Sequence, residues 1–136
     1  MSNRPELAVA AILTDADGRV LLIQRGRPPS AGRWTVPGGR VERGETVVEA
    51  LQRELRTETG LTAKPGPLAE VFELITDQYH YVILDYLMTE PQGELRPGDD
   101  AADARFVALS DLPSYETTDG LAEVLTRALG GAAAKN

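Results

Sequence analysis

The chain has 136 residues, 42% of them hydrophobic, which is enough for one buried core but hardly for two. Its 14 Lys and Arg face 21 Asp and Glu, a net charge of −7, which disfavours a nucleic-acid polymer as a large-area partner and leaves small anions to be bound where basic side chains cluster or a cation bridges. No cysteine and a single histidine exclude disulfides, thiolate metal sites, thiol nucleophiles and multi-histidine centres, so any metal ion must sit on oxygen ligands.

The opening stretch MSNRPELAVAAILTD flanks a short apolar segment with charge, and no run of about 18 apolar residues follows anywhere; neither a secretory signal nor a membrane span is indicated, and a cytoplasmic protein is expected. ELAVAAILTD and RVLLIQR are apolar runs on either side of the turn sequence DADG, which predicts a hairpin from Leu7 to Thr14 and Arg19 to Gln24. RGRPPSAGRWTVPGG is too rich in Gly, Pro and Arg for a long regular element. It reads as a loop with a short strand near Trp34 to Val36 and a flexible glycine turn at VPGG.

Thr46 followed by Glu49 is a capping-box pattern and Gly60 is a stop signal, so a helix is predicted from about Thr46 to Thr59, with Val47, Val48, Leu51 and Leu55 on its apolar side. After a break at KPGP, EVFELIT and YHYVILDYLMT read as strands, PQGELRPGDDAAD as an acidic loop and ARFVAL as another strand. A second helix is expected from Thr118 or Asp119 to Gly130, with Leu121, Val124, Leu125, Ala128 and Leu129 on one face and a frayed tail over 131–136. Strands interleaved with two amphipathic helices imply one layered α/β or α+β domain over 1–136.

Glu54 and Glu58 lie at i, i+4 on the first helix, beside its apolar stripe. Such like-charge pairs cost an isolated helix a few tenths of a kcal/mol and need compensation. Arg53 and Arg56 could supply it; so could a hard divalent cation such as Mg²⁺, which takes oxygen ligands and is commonly shared with phosphates. The glycine turn before the helix and the basic loop carrying Arg25, Arg27 and Arg33 suit the second alternative, because together with the acidic helix they could hold a metal-bridged phosphate.

The segment from Gly39 to Leu61 resembles the Nudix box, which runs glycine, five residues, glutamate, seven residues, then Arg-Glu-apolar-any-Glu-Glu-any-Gly-apolar. Here the matching residues are Gly39, Glu45, Arg53, Glu54, Leu55, Glu58, Gly60 and Leu61, with Thr57 in place of the first glutamate of the pair. The resemblance implies the Nudix fold, an α/β/α sandwich around a mixed sheet. It implies a hydrolase that uses Mg²⁺ or Mn²⁺ to cut the diphosphate bond of a nucleoside diphosphate linked to another group. Glu54, Glu58 and the backbone carbonyl of Gly38 would be metal ligands, Glu54 also a base for the attacking water, and Glu45 and Arg53 a pair that orients helix and loop. An acidic residue of the later loop often completes the site; Asp100 is the choice here, with Asp99 and Asp103 as competitors.

Thr57 is a weak metal ligand, so a looser cation, or one cation fewer, is expected. QRGRPPSAGRWTVPGG and the region from His80 to Leu109 look more like bacterial members that hydrolyse ADP-ribose than like cleaners of 8-oxo-dGTP. Arg25, Arg27, Arg33 and Trp34 are the candidate substrate-binding residues; Phe72, Tyr79, Tyr81 and Tyr86 could also stack on a base, or be core. The rival readings are a (d)NTP or 8-oxo-dGTP pyrophosphohydrolase and a degenerate nucleotide-binding domain with little hydrolysis. Dimerisation is common in the family, which leaves a homodimer open.

Overall fold

The computed structural model describes residues 4–28, 30–98 and 100–130. Its strands form two sheets. One has four strands in the order β4, β1, β6, β5: β1 (Glu6–Leu13), β4 (Gly38–Arg40), β5 (Leu61–Ile75) and β6 (His80–Gly93). The other has three, in the order β3, β2, β7: β2 (Val20–Arg25), β3 (Trp34–Thr35) and β7 (Ala101–Val107). β1 runs parallel to β6 and every other pairing is antiparallel, so the larger sheet is mixed.

Two helices complete the layers. The first, α1 (Val47–Thr59), begins at the predicted capping box: Thr46 accepts from the Glu49 N–H while the Glu49 carboxylate accepts from the Thr46 N–H. It ends on Gly60, whose φ of 77° is the left-handed conformation a glycine tolerates best. The second, α2 (Leu121–Leu125), follows Gly120 and continues as a wider turn over Thr126–Gly130.

Alternation along β1 separates two cores. Val9, Ala11 and Leu13 pack with Leu21 and with Ala50, Leu51 and Leu55 of α1. Ala10 and Ile12 pack with Val20, Leu22, Trp34, Val107 and the α2 residues Leu121, Val124 and Leu125. The sheet layer thus lies between α1 and α2, the α/β/α arrangement expected.

Four local expectations are corrected. β1 and β2 do not form a hairpin within one sheet: β1 is hydrogen-bonded to β4 and β6 and β2 to β3 and β7, and the two meet near the DADG turn through the Thr14–Val20 bridge and an Asp15 N–H to Arg19 carbonyl hydrogen bond. Both strands are buried on both faces, so each takes two strand neighbours rather than an exposed edge. The glycines of VPGG are no free turn, since Gly38 and Gly39 pair with Ala10 and Val9 as part of β4. KPGP does not break the chain either. β5 passes through it, absorbing the prolines in register shifts along an edge strand where they forfeit no outer ladder bonds. The second helix starts slightly later than Thr118 or Asp119, after the positive φ of Gly120. The tail over 131–136 lies outside the described residues, and among those described no helix is long and apolar enough to cross a membrane.

Candidate active site

The capping box fixes where α1 starts, and the apolar stripe fixes its rotation on the sheet. Leu51 and Leu55 point into the core, which turns Glu54 and Glu58 toward β4. There the two glycines matter. The Gly38 N–H donates to Glu58 Oε1 at 2.8 Å, and a Cβ added at Gly39 would fall 1.6 Å from Glu54 Oε2. A Cβ on Gly38 would meet the Val9 carbonyl at 2.3 Å, so neither position accepts a side chain without displacement.

Arg53 braces this arrangement. Its guanidinium donates to Glu45 at 2.6 and 3.0 Å and to the Arg40 carbonyl at 3.0 Å, and lies 3.5 Å from Glu54 Oε1. Glu45 also accepts from the Glu42 N–H at 2.9 Å. Helix, β4 and the intervening loop are thereby tied together through one bidentate Glu45–Arg53 pair. A shallow cleft lined by Arg40, Glu42, Arg43, Arg53 and Glu54 opens beside it.

The glutamates occupy opposite electrostatic environments. The Arg53 guanidinium, followed by the Glu42 N–H, holds Glu45 down to about 2. Burial raises Glu54 despite its arginine neighbour, and burial pushes Glu58 up to about 8 against the Gly38 N–H, with the Glu54 charge adding to the rise. A carboxylate pair this desolvated favours either protons or a cation.

The donor set fits a hard divalent cation: carboxylate oxygens of Glu54 and Glu58 and, from the strand below, a backbone carbonyl at Gly38. Among the described residues no group of three or more acidic or histidine side chains is close enough together to hold a metal by itself. Asp100 raises both Glu54 and Glu58 electrostatically, so it stands on their side of the molecule. It is pinned there by Arg27 at 3.2 Å and by the Gly26 N–H, which donates to its carbonyl at 3.0 Å. Asp103 is turned elsewhere, toward Arg105 and the Ala104 N–H. Asp99 lies outside the described residues.

Of the other candidates, Arg25 lowers Glu58 electrostatically and thus faces the carboxylates. Arg33 pairs with Asp119 at 3.0 Å, away from the pair. Trp34 is 8% exposed, in the α2 core, with Tyr115 against its edge and Arg105 over its face. The sequence reading gave the loop of 94–98 no role. The Arg96 and Gly98 N–H groups donate to the Thr59 and Glu58 carbonyls, and a Cβ at Gly98 would collide with the Thr57 carbonyl. This strap satisfies the last carbonyls of α1 and so holds Glu58 in place. The only signal for it was Gly98 itself, which in sequence looks like an ordinary loop glycine.

A family model described as NUDIX domain matches residues 4–128. The chain is 40% identical over 111 residues to the ADP-ribose pyrophosphatase of Methanocaldococcus jannaschii, covering 80% of this chain and 65% of that protein. It is 38% identical over 96 residues to the human 8-oxo-dGDP phosphatase NUDT18, covering 71% of this chain and 28% of that protein. Among solved structures, a MutT NUDIX hydrolase from Burkholderia pseudomallei superposes with a TM-score of 0.84 at 32% identity, over 92% of this chain and 98% of that one. The chain therefore spans about two thirds of the first of these proteins and less than a third of the second.

Proposed function

Because the chain belongs to the NUDIX domain family, we propose that it is a divalent-metal-dependent pyrophosphohydrolase that cuts the diphosphate bond of a nucleoside diphosphate linked to another group, an ADP-ribose-like molecule before others. The observation that carries this reading is the seating of Glu54 and Glu58 against the bare backbone of Gly38 and Gly39. The ADP-ribose preference draws support from the archaeal relative.

Glu54, Glu58 and the Gly38 carbonyl would hold Mg²⁺ or Mn²⁺, and Asp100, which forms no three-carboxylate cluster with the pair, would add negative charge from the same side. When bound, the ion supplies positive charge to the diphosphate oxygens and acidifies water. The chain's own groups do the rest. Glu54 takes a proton from water, the water oxygen bonds to one phosphorus, and the bridging P–O bond breaks with its electrons passing to the departing phosphate. Burial raises the basicity of Glu54, which suits it to that proton. Arg53 and Glu45 position Glu54 rather than touch substrate, and Arg25 and Arg27 supply positive charge for the substrate's phosphates. Arg33, paired with Asp119, and Trp34, buried in the α2 core, would act only as indirect supports of the loop that carries the arginines.

The 8-oxo-dGDP phosphatase relative favours a second reading, hydrolysis of oxidised purine nucleotides on the same carboxylates. One experiment separates the two. Purified protein is incubated with ADP-ribose, dGTP, 8-oxo-dGTP, 8-oxo-dGDP and nucleotide sugars, with and without Mg²⁺ or Mn²⁺, and the products are weighed by mass spectrometry. Metal-dependent AMP plus ribose 5-phosphate supports the first reading, and 8-oxo-dGMP plus phosphate or pyrophosphate moves the protein to the second. No turnover under any condition overturns both and leaves a domain that binds without cutting.

A further inference from the structure

The two carboxylates of the pair have different charged neighbours. Arg25 bears electrostatically on Glu58, whereas Glu54 feels Arg53, Glu42 and Glu45, with Asp100 common to both. A ligand stretched over the pair therefore has the Arg25–Arg27 loop at one end and the loop between β4 and α1 at the other. That second end is a cleft of about 380 Å³, within the roughly 300–1,000 Å³ of small-molecule sites.

The edge of the sheet builds the cleft. β4 is the outer strand of the larger sheet, and the Val41 N–H donates to the Leu7 carbonyl at 3.0 Å, which carries the pairing with β1 past Arg40. Alternate residues of such a segment point the same way, so Arg40 and Glu42 project to one side about 7 Å apart. Glu6 of β1 stands beside them, 3.4 Å from Arg40. Glu54 also lines the cleft, which joins it to the carboxylate pair. Arg53 is committed to Glu45, but Arg43 has no ion-pair or hydrogen-bond partner among the described residues.

These charges select a ligand class. A guanidinium matches a phosphate in both charge and hydrogen-bond geometry, and Arg40 and Arg43 offer two. Glu6 and Glu42 are acceptors only; they repel further negative charge and bind hydroxyl donors. A pyrophosphate would bring charge to the whole cleft. A phosphate on a hydroxyl-rich body brings charge to the arginines and donors to the carboxylates.

We propose that this cleft is the subsite for the sugar-phosphate half of the substrate, with Arg40 and Arg43 on its phosphate and Glu6 and Glu42 on its hydroxyls. The assignment rests on the pyrophosphohydrolase reading of Glu54 and Glu58 and adds a selection to it. A diphosphate whose departing half is a phosphorylated sugar fits, whereas a triphosphate that releases pyrophosphate meets Glu6 and Glu42. The nucleoside half then lies toward Arg25 and Arg27.

The test is an amide NMR titration of the isotope-labelled full chain, in chelator, with ribose 5-phosphate, inorganic phosphate, pyrophosphate and AMP, repeated on R40Q/R43Q and E6Q/E42Q. Ribose 5-phosphate should shift the amides of residues 40–44 and bind at least about tenfold more tightly than inorganic phosphate. R40Q/R43Q should weaken it at least about tenfold and E6Q/E42Q should abolish its advantage over inorganic phosphate, while AMP affinity changes less than about twofold in either variant. Pyrophosphate binding at 40–44 as tightly as ribose 5-phosphate overturns the proposal, and so does a ribose 5-phosphate affinity that R40Q/R43Q leaves unmoved. Hydrolysis assayed alongside keeps the two readings apart. ADP-ribose cleavage by a chain whose ribose 5-phosphate affinity ignores these four residues sinks the subsite alone; ribose 5-phosphate bound at 40–44 by a chain that cleaves no diphosphate upholds the cleft's ligand and sinks the pyrophosphohydrolase reading.

Discussion

Replacing Asp85 by Asn should stabilise the protein at neutral pH and do nothing in acid. Asp85 sits in the middle of β6, 5% exposed, in register with Ala10 on one side and Glu70 on the other. The neighbouring cation, Arg127, is engaged with Glu70 at 3.0 Å. Burial, then the Glu70 charge, lifts the Asp85 carboxyl from 3.8 to about 6. The folded state therefore holds the proton more tightly than the unfolded chain, and stability falls as pH rises from about 4 to about 6, with the whole penalty present above that. A shift of this size corresponds to roughly 3 kcal/mol, and allowing for water near the Asp85–Glu70 pair leaves about 1–3 kcal/mol. Asn keeps the shape and cannot ionise. D85N should gain about 1–3 kcal/mol in urea unfolding at pH 7.5, a rise in Tm of about 3–10 °C for a domain of this length, and the gain should vanish by pH 4. If D85N is no more stable at pH 7.5, or keeps the same advantage at pH 4, the buried-charge explanation is wrong.

Glu54→Gln should lower turnover by about 10³ without moving Tm, and near-normal hydrolysis would remove Glu54 as the base. Thr57→Glu restores a carboxylate on the exposed turn facing the strap, and should lower the Mg²⁺ concentration for half-maximal rate by about tenfold; an unchanged metal titration counts against a ligand role for this position. Glu58 must lose its proton to bind a cation, so below pH of about 8 the Mg²⁺ affinity measured calorimetrically should weaken up to about tenfold per pH unit; a flat profile from pH 6 to 8 contradicts that. Gly39→Ala forces its Cβ against Glu54, and kcat should fall about 100-fold or more while the fold persists. A fully active G39A would mean Glu54 can work from another position.

What the sequence made legible was local. The capping box, the glycine stop and the stripe of Leu51 and Leu55 are contacts between near neighbours along the chain, and α1 forms where they place it. The box motif carried Glu45, Arg53, Glu54 and Glu58 for the same reason: their spacing is read on a single helix and the loop before it. Illegible were features that depend on partners far along the chain. DADG looks like a hairpin turn, yet β1 finds β6 and β4 while β2 finds β7 and β3, a choice made by burial on both faces rather than by the turn. The second glycine of VPGG reads as freedom, but what it provides is the room into which Glu54 Oε2 reaches. Gly98 over the Thr57 carbonyl is of the same kind, because nothing in the local sequence announces the helix end it will cover.

The two glutamates at opposite ends of the box show why the motif needs both loop and helix. Glu45 and Glu58 carry the same side chain, yet one is held near 2 and the other near 8. The difference comes from what each faces. Glu45 meets a guanidinium and a backbone N–H and is charged at any physiological pH, which suits a permanent brace. Glu58 meets one backbone N–H, a second carboxylate and, at longer range, Arg25 in a desolvated corner, so burial raises it and a bound cation would favour its charged form. Under the proposed function the two environments could not be exchanged: a carboxylate already neutralised by arginine would have little left for a metal, and a protonated one would not hold Arg53 in place. The spacing between them sets that division, because it puts one glutamate before the helix, where Arg53 can reach it, and the other on the last turn over Gly38.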